Sequence, residues 1–366
     1  MKYILQVFTG GWHNANYKAQ EIIERIAKIR TMIPVQSVII GWNTDADLYR
    51  SVNAYLHENG ISSCLWLPVF SETGELCEMS EAVDLSKNPI GSLALQEGEN
   101  FEFYCPSDER NIHNVFKVYE TYFADCGFDG VFLDKIRTQS FVGGIAGALS
   151  CGCASCQRIY TEKGLPLQEV LHAYRMSGDA FLETEGYENG LGFVMKDSLA
   201  ERFLKIKAEI IAGSVAEICD YFHAKGMKTG LDLYAPLLSR FTGQQYDLIS
   251  LKADFIKPML YRKTQAPAGI HYEYRLLKQS LPHAQNYPDL CMDLTFLRAQ
   301  LDEMKNLTCE KYPGIEVNYR EDIARTDAEY VYESLKTLKE CGMDGAVLAW
   351  DVMLAPDRHI EVIKEI

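Results

Sequence analysis

Eight short apolar runs recur along this chain, and between most of them lies a stretch with the spacing of a helix. The runs fall at residues 3–8, 34–41, 61–70, 128–134, 227–233, 255–261, 314–319 and 342–351. Their apolar residues follow one another without alternating, as in Val38-Ile39-Ile40 and Val131-Phe132-Leu133. A strand that is apolar on both faces must be covered on both faces, which is the condition of a parallel sheet under helices. The intervening segments supply those helices. In 17–30, Ile22, Ile23, Ile26 and Ile29 recur with helical spacing. Further helices are expected over 46–59, 105–126, 198–225, 272–280, 294–306 and 326–341. Gly60 and Gly226 stand where two of them would stop.

This alternation, with no break in composition, predicts an α/β chain folded as one (β/α)8 TIM barrel over residues 1–366. A doubly wound open sheet is the competing arrangement, but no glycine fingerprint of a dinucleotide site follows the first strand. Two connections are too long for plain crossovers. One covers 71–104, after the third strand; the other is a Gly/Cys-rich inserted region, 138–197, after the fourth. Gly127-Phe128-Asp129-Gly130-Val131 and Gly342-Met343-Asp344-Gly345-Ala346 match each other, and each leads into an apolar strand. Asp129 and Asp344 are therefore read as turn residues that relieve the backbone at the bottom of the barrel.

The formal net charge of −15 speaks against nucleic acid and anionic membrane as partners, since both select for Lys and Arg. No apolar run reaches the ~18 residues of a membrane span. Residues 1–8 are too short and too weakly basic for a signal peptide and look like a strand. A cytoplasmic protein is expected, and the eleven scattered cysteines suit a reducing compartment. The oligomeric state stays open, a homo-oligomer included. No phosphate loop, Ser-His-Asp order or His-rich motif is present, so no organic cofactor is expected.

Cys151, Cys153 and Cys156 form a Cys-X-Cys-X-X-Cys loop inside the inserted region. Three thiolates so close can converge on a metal, and a fourth ligand completes a tetrahedron. Cys105 is the best fourth candidate, with Cys126 and Cys77 as rivals; the competing reading is a set of free thiols. Zinc held by four sulfurs has no open position and would be structural.

The order Cys105-Pro106-Ser107, helix, strand, Cys151-X-Cys153-X-X-Cys156 resembles the family 42 β-galactosidases, TIM-barrel glycoside hydrolases in which an upstream Cys joins such a group around zinc. The strand Gly127-Phe128-Asp129-Gly130-Val131-Phe132-Leu133-Asp134-Lys135-Ile136-Arg137 is similar to uncharacterised glycosidase-like barrels. So are Gly230-Leu231-Asp232-Leu233-Tyr234-Ala235-Pro236 and Phe255-Ile256-Lys257-Pro258-Met259-Leu260-Tyr261. The family 42 likeness covers about one seventh of the chain and the looser one about half. Family 42 ends its fourth strand in Asn-Glu, where this chain has Lys135-Ile136. The resemblance thus implies fold and hydrolysis more than it implies β-galactosidase activity.

In such a barrel the chemistry sits at C-terminal strand ends. Those ends carry Asp134, Asp232, Glu316 and Asp351. Hydrolysis of an O-glycosidic bond needs two carboxyl groups, an acid and a nucleophile or base. Asp134 is expected as nucleophile with Glu316 or Asp232 as acid/base; the reverse, with Asp134 as acid and Glu316 as nucleophile, stays open. The competing reading of each is a structural ion pair with Lys135, Arg137, Lys257 or Arg262. A carbohydrate substrate would be bound by Trp12, His13, Arg137, Tyr234, Lys257, Tyr261, Trp350 and Asp351, sugar faces stacking on the rings. Two other functions fit the same residues. One is a barrel that binds carbohydrate without cleaving it. The other is a metal-dependent lyase or isomerase with Asp134, Asp232 and Glu316 as oxygen ligands.

Overall fold

The computed structural model describes residues 1–74, 76–91, 102–185 and 193–366. Its core is a ring of eight parallel strands: β1 (Lys2–Phe8), β2 (Ser37–Gly41), β3 (Ser62–Pro68), β4 (Gly130–Asp134), β5 (Lys228–Tyr234), β6 (Phe255–Met259), β7 (Gly314–Glu316) and β8 (Gly345–Ala349). Each pairs with its neighbours in sequence, and β8 returns to β1 through Lys2↔Gly345 to Leu5↔Leu348. The expected barrel is the observed one. Six of the eight strands are shorter than their apolar runs; β1 and β5 are not.

The helices form where the spacing places them, among them Ala19–Arg30, Ala46–Glu58, Glu109–Tyr122, Ser198–Ala224, Ile270–Ser280, Leu294–Asp302 and Ala328–Glu340. Five start on an aspartate, Asp45, Asp108, Asp197, Asp293 and Asp327, whose side chain accepts a free backbone N–H of the first turn. Such a cap contributes about 1 kcal/mol. Gly60 and Gly226 follow their helices with φ of 69° and 77°, a conformation that costs glycine least.

The bottom turns hold as expected. Asp129 Oδ2 accepts the Ser63 N–H at 2.8 Å, and Asp344 Oδ2 accepts the Lys311 N–H at 2.9 Å. Each aspartate thereby ties its own strand entry to a neighbouring segment.

The region 138–197 is more helical than its glycines suggest. Among its described residues it carries the helices Gly144–Ala148, Ala154–Glu162 and Leu167–Phe181. Lys207, on the long helix behind it, is fully buried and donates to the carbonyls of Ala148 at 2.7 Å and Phe241 at 2.8 Å. One ammonium thus fastens the insertion to the segment after β5. Burial lowers the Lys207 pKa to about 7.

Candidate active site

Asp134 closes β4, and the register Pro68↔Asp134 sets it beside the end of β3. Its Oδ2 accepts the Trp66 indole N–H at 3.0 Å, and its Oδ1 accepts the Lys135 N–H at 2.5 Å. The residue keeps 7% of its surface. Trp66 belongs to an aromatic group with Phe8 and Trp42: ring centroids lie 6.0 Å (Phe8–Trp66), 5.3 Å (Phe8–Trp42) and 5.6 Å (Trp42–Trp66) apart. The Lys135 ammonium stands 5.5 Å from the Trp42 ring centre.

Asp232 occupies the matching position one strand over, since the pair Leu133↔Leu231 precedes both aspartates. Lys257 is its cross-strand partner on β6. The Lys257 Nζ donates to Asp232 Oδ1 at 3.1 Å and Oδ2 at 3.0 Å, and to the Tyr261 hydroxyl at 2.5 Å. Burial pushes the Asp232 carboxyl up to about 7; the Lys257 charge pulls against this and the Asp134 charge adds to it. The lysine stem fits because β7 offers glycine there: a Cβ on Gly314 would lie 2.5 Å from Lys257 Cε. The ion pair named as the competing reading for Lys257 is therefore present, and it binds one candidate carboxylate.

Glu316, at the end of β7, is fully buried, and both its oxygens are engaged. Oε1 accepts the Lys263 N–H at 2.7 Å, the Thr264 N–H at 3.1 Å and the Thr264 hydroxyl at 3.2 Å, while Oε2 accepts the Tyr330 hydroxyl. These bonds tie down the loop after β6. The geometry gives Glu316 an anchoring task, where sequence suggested an acid, base or nucleophile.

Asp351 likewise has local duties. It caps the short helix Val352–Leu354 through the Met353 N–H at 3.1 Å and accepts the Tyr17 hydroxyl at 2.9 Å. Burial raises its carboxyl to about 6.

Arg137 is buried between two rings, its guanidinium carbon 4.7 Å from the Phe103 centroid and 4.5 Å from that of Tyr234. Tyr234 donates its hydroxyl to Glu273 Oε1 at 2.8 Å. Trp12 and His13 are carried outward by the hairpin Gly10–Gly11 with Asn14–Ala15. The Trp12 ring meets Tyr122 edge-on at 5.5 Å and covers Gly74, on the flank of the Glu109–Tyr122 helix. The structure thus gathers Asp134, Asp232, Lys257, Tyr261, Arg137 and Tyr234 and leaves Trp12 and His13 outside that group. Trp350 sits at the end of β8, its backbone N–H donating to Asn318 Oδ1 at 3.2 Å.

Sequence reasoning passed over Phe103, Glu273, Tyr330 and Thr264. Each is joined to the site across a long stretch of chain, and no local spacing announces such pairs.

The cysteines form a second centre. Cys105, Cys151, Cys153 and Cys156 bring all four Sγ atoms within 4.8 Å of one another. Cys105 Sγ lies 3.3 Å from Cys153 Sγ and 3.5 Å from Cys156 Sγ. Hydrogen bonding within the set holds Cys151 and Cys153 below the usual thiol range and pushes Cys105 and Cys156 above it. The rivals lie elsewhere: Cys126 faces the Tyr122 carbonyl at 3.5 Å, and Cys77 faces Asn114 Oδ1 at 3.5 Å. Among the described residues this is the one group of His, Cys, Asp or Glu donors that converges as a metal site does. Asp134, Asp232 and Glu316 do not form another.

No protein-family model and no curated protein sequence matches this chain. Solved structures share its fold. The PgaB (BpsB) glycoside hydrolase domain from Bordetella bronchiseptica superposes with a TM-score of 0.59 at 14% identity, over 100% of this chain and 98% of that one. A class V chitinase from Pseudomonas fluorescens Pf-5 gives 0.51 at 8% identity, over 100% and 99%. α-L-Fucosidase isoenzyme 2 from Paenibacillus thiaminolyticus gives 0.50 at 12% identity, over 100% of this chain but 48% of the fucosidase. This chain thus spans about half the length of that enzyme. The neighbours are glycoside hydrolase barrels, and at these identities the likeness establishes the fold; a family 42 β-galactosidase is not among those named here.

Proposed function

We propose that this protein is a glycoside hydrolase that cleaves an O-glycosidic bond with Asp134 and Asp232. The observation that carries this reading is their placement at equal height on adjacent strand ends, in environments that differ. An acid paired with a nucleophile or a base calls for two carboxyls in unlike surroundings. Asp232, raised to about 7 by burial, suits the acid. Asp134, fixed by two N–H donors and still reaching solvent, suits the nucleophile or the base. Arg137, Tyr234, Tyr261 and Trp350 would shape the sugar site around them. The fold shared with carbohydrate-cleaving barrels supports the reading without deciding it.

The cysteine set supports a bound Zn2+. A tetrahedral ion with sulfurs at ~2.3 Å spaces them roughly 3.8 Å apart, close to the spread seen here. Cys105, Cys151, Cys153 and Cys156 would hold it, and its chemistry there is to cross-link the insertion to the rim. None of the eleven cysteines is joined in a disulfide, which suits a reducing, cytoplasmic setting.

The test is a panel of nitrophenyl glycosides with the wild type, Asp134→Asn and Asp232→Asn, alongside metal analysis of the same preparation. Turnover of at least one glycoside, lost in both variants while they remain folded, is the expected result. Equal turnover in Asp134→Asn would overturn the assignment. Sugar binding without turnover in the wild type would favour a carbohydrate-binding barrel.

A further inference from the structure

The four converging cysteines come from two separate stretches of chain. Cys105 stands just before the helix Glu109–Tyr122, and Cys151, Cys153 and Cys156 lie in the region after β4. A hydroxyl joins the two stretches at the sulfurs themselves. Ser107 Oγ lies 3.2 Å from Cys105 Sγ and 3.1 Å from Cys156 Sγ, and these two sulfurs are 3.5 Å apart. Among the described residues the hydroxyl has no other partner, and no other side chain from outside the set is bonded to any of the four sulfurs.

The backbone fixes Ser107 in this place. The Ser214 hydroxyl, on the long helix Ser198–Ala224, donates to the Pro106 carbonyl at 2.6 Å, and the Ser155 hydroxyl donates to the Ser107 carbonyl at 3.2 Å. The peptide units on either side of Ser107 are thus anchored, one to a barrel helix and the other to the cysteine loop.

The contacts with sulfur gain a direction once a metal is bound. A free thiol can give its proton to a hydroxyl or take one from it. A metal-bound sulfur has lost its proton, so only Ser107 can donate, and its single hydrogen serves Cys105 and Cys156 in turn or together. Zinc with four thiolates carries more negative charge than positive. Cys105, Cys151 and Cys156 are buried, so water does little to meet that excess. Charge held away from water is costly unless hydrogen bonds reach it. For Cys153 the donor is backbone: the Cys156 N–H, in the first turn of the helix Ala154–Glu162, lies 3.5 Å from Cys153 Sγ. For Cys105 and Cys156 the donor is Ser107.

We infer that Ser107 is a positioning residue of the zinc centre, whose hydroxyl donates to the Cys105 and Cys156 thiolates and so tightens the hold of the four sulfurs on the ion. The inference rests on the zinc reading given above and is independent of any bond the barrel cleaves. It also gives the Cys105-Pro106-Ser107 order a second functional member, since one short segment then brings both a ligand and the donor that steadies it.

The experiment measures metal binding. The full-length protein is stripped of metal, reloaded with Zn2+ or Co2+, and titrated with a chromophoric chelator. Ser107→Ala should hold zinc about ten- to a hundredfold more weakly than the wild type, the usual effect of deleting a partner of a metal ligand. Its sulfur-to-cobalt charge-transfer band should move to longer wavelength, because a thiolate that loses a donor gives up an electron more readily; lost packing alone does not move that band. Ser107→Thr keeps the hydroxyl and should return both readings most of the way to the wild type. Equal zinc affinity in Ser107→Ala, an unmoved band, or a Ser107→Thr protein that matches Ser107→Ala overturns the inference. A wild type that takes up no metal removes the zinc reading and the inference with it, whereas tight wild-type binding that Ser107→Ala leaves intact removes the inference alone. Zinc binding that depends on Ser107, without any glycoside turnover, leaves it standing.

Discussion

Lys257 and Asp232 face each other across β6 and β5 as a bidentate ion pair whose members are 0% and 2% exposed. Coulomb attraction in such a place is strong, but so is the cost of taking both charges from water. The two terms nearly cancel, and the balance leaves the Asp232 proton affinity near neutrality. Two of the four strand-end carboxylates, Glu316 and Asp351, serve structure; Asp232 is held where a small change in its surroundings moves a proton.

Asp232 is expected to impose the alkaline limb of the activity profile. As the acid it works only while protonated, so turnover should fall as pH rises through about 7. Lys257→Met removes the charge that favours ionisation, which should shift the limb upward by a pH unit or more. A limb that stays in place in Lys257→Met excludes Asp232 as its source.

Removing one member of the pair should cost more than removing both. Asp232→Asn strands a buried ammonium, a loss of about 3–5 kcal/mol. Adding Lys257→Met to Asp232→Asn should recover part of that loss. Chemical denaturation of the two singles and the double gives the coupling directly, and additive losses would contradict a paired role.

Asp134→Asn should reduce turnover roughly a hundred- to ten-thousandfold, the range typical of a lost catalytic proton-transfer group. The amide oxygen can keep one of the two contacts, with Trp66 or with Lys135, while the amide nitrogen faces the other donor, so the melting temperature should fall modestly with the fold retained. Steady-state kinetics beside a thermal melt separates the two effects.

Asp351 predicts a pH-dependent stability. Its carboxyl is raised from 3.8 to about 6 in the folded protein, so the folded state keeps a proton that the unfolded chain releases. The contribution is fully present below about pH 4 and is lost as pH rises to about 6, some 3 kcal/mol in all. Asp351→Asn can retain the cap and the Tyr17 contact without titrating. Its stability should therefore gain on the wild type between pH 4 and 6; parallel curves would refute the assignment.

Chelation should loosen the insertion before the barrel. A strong chelator, or Cys105→Ser, is expected to open residues 138–185 to protease while the strand core persists, if the four sulfurs hold zinc. Unchanged protection together with absence of metal in the native protein would count against that ion.

The fold was legible because its signals are local. Continuous apolar strands, helical spacing and the glycines that end helices each declare themselves within a dozen residues, and the barrel follows. Sequence singled out Asp134, Asp232 and Lys257 because each stands at or near a strand end, and the structure brings the three side chains close together. The site was not legible where distant partners decide the outcome. Glu316 looks like a free carboxylate until Tyr330 and the Thr264 backbone reach it. Trp12 looks like a rim platform until the hairpin turns it onto Tyr122.

The missing side chain at position 314 has an evolutionary corollary. A side chain at 314 would crowd the lysine stem, so a change from glycine there obliges the residue at 257 to shift or to change. Relatives with a larger residue at 314 are expected to carry a shorter or differently placed side chain at 257, with a matching change in the poise of the neighbouring acid. A sequence alignment, once gathered, can check that dependence without a single assay.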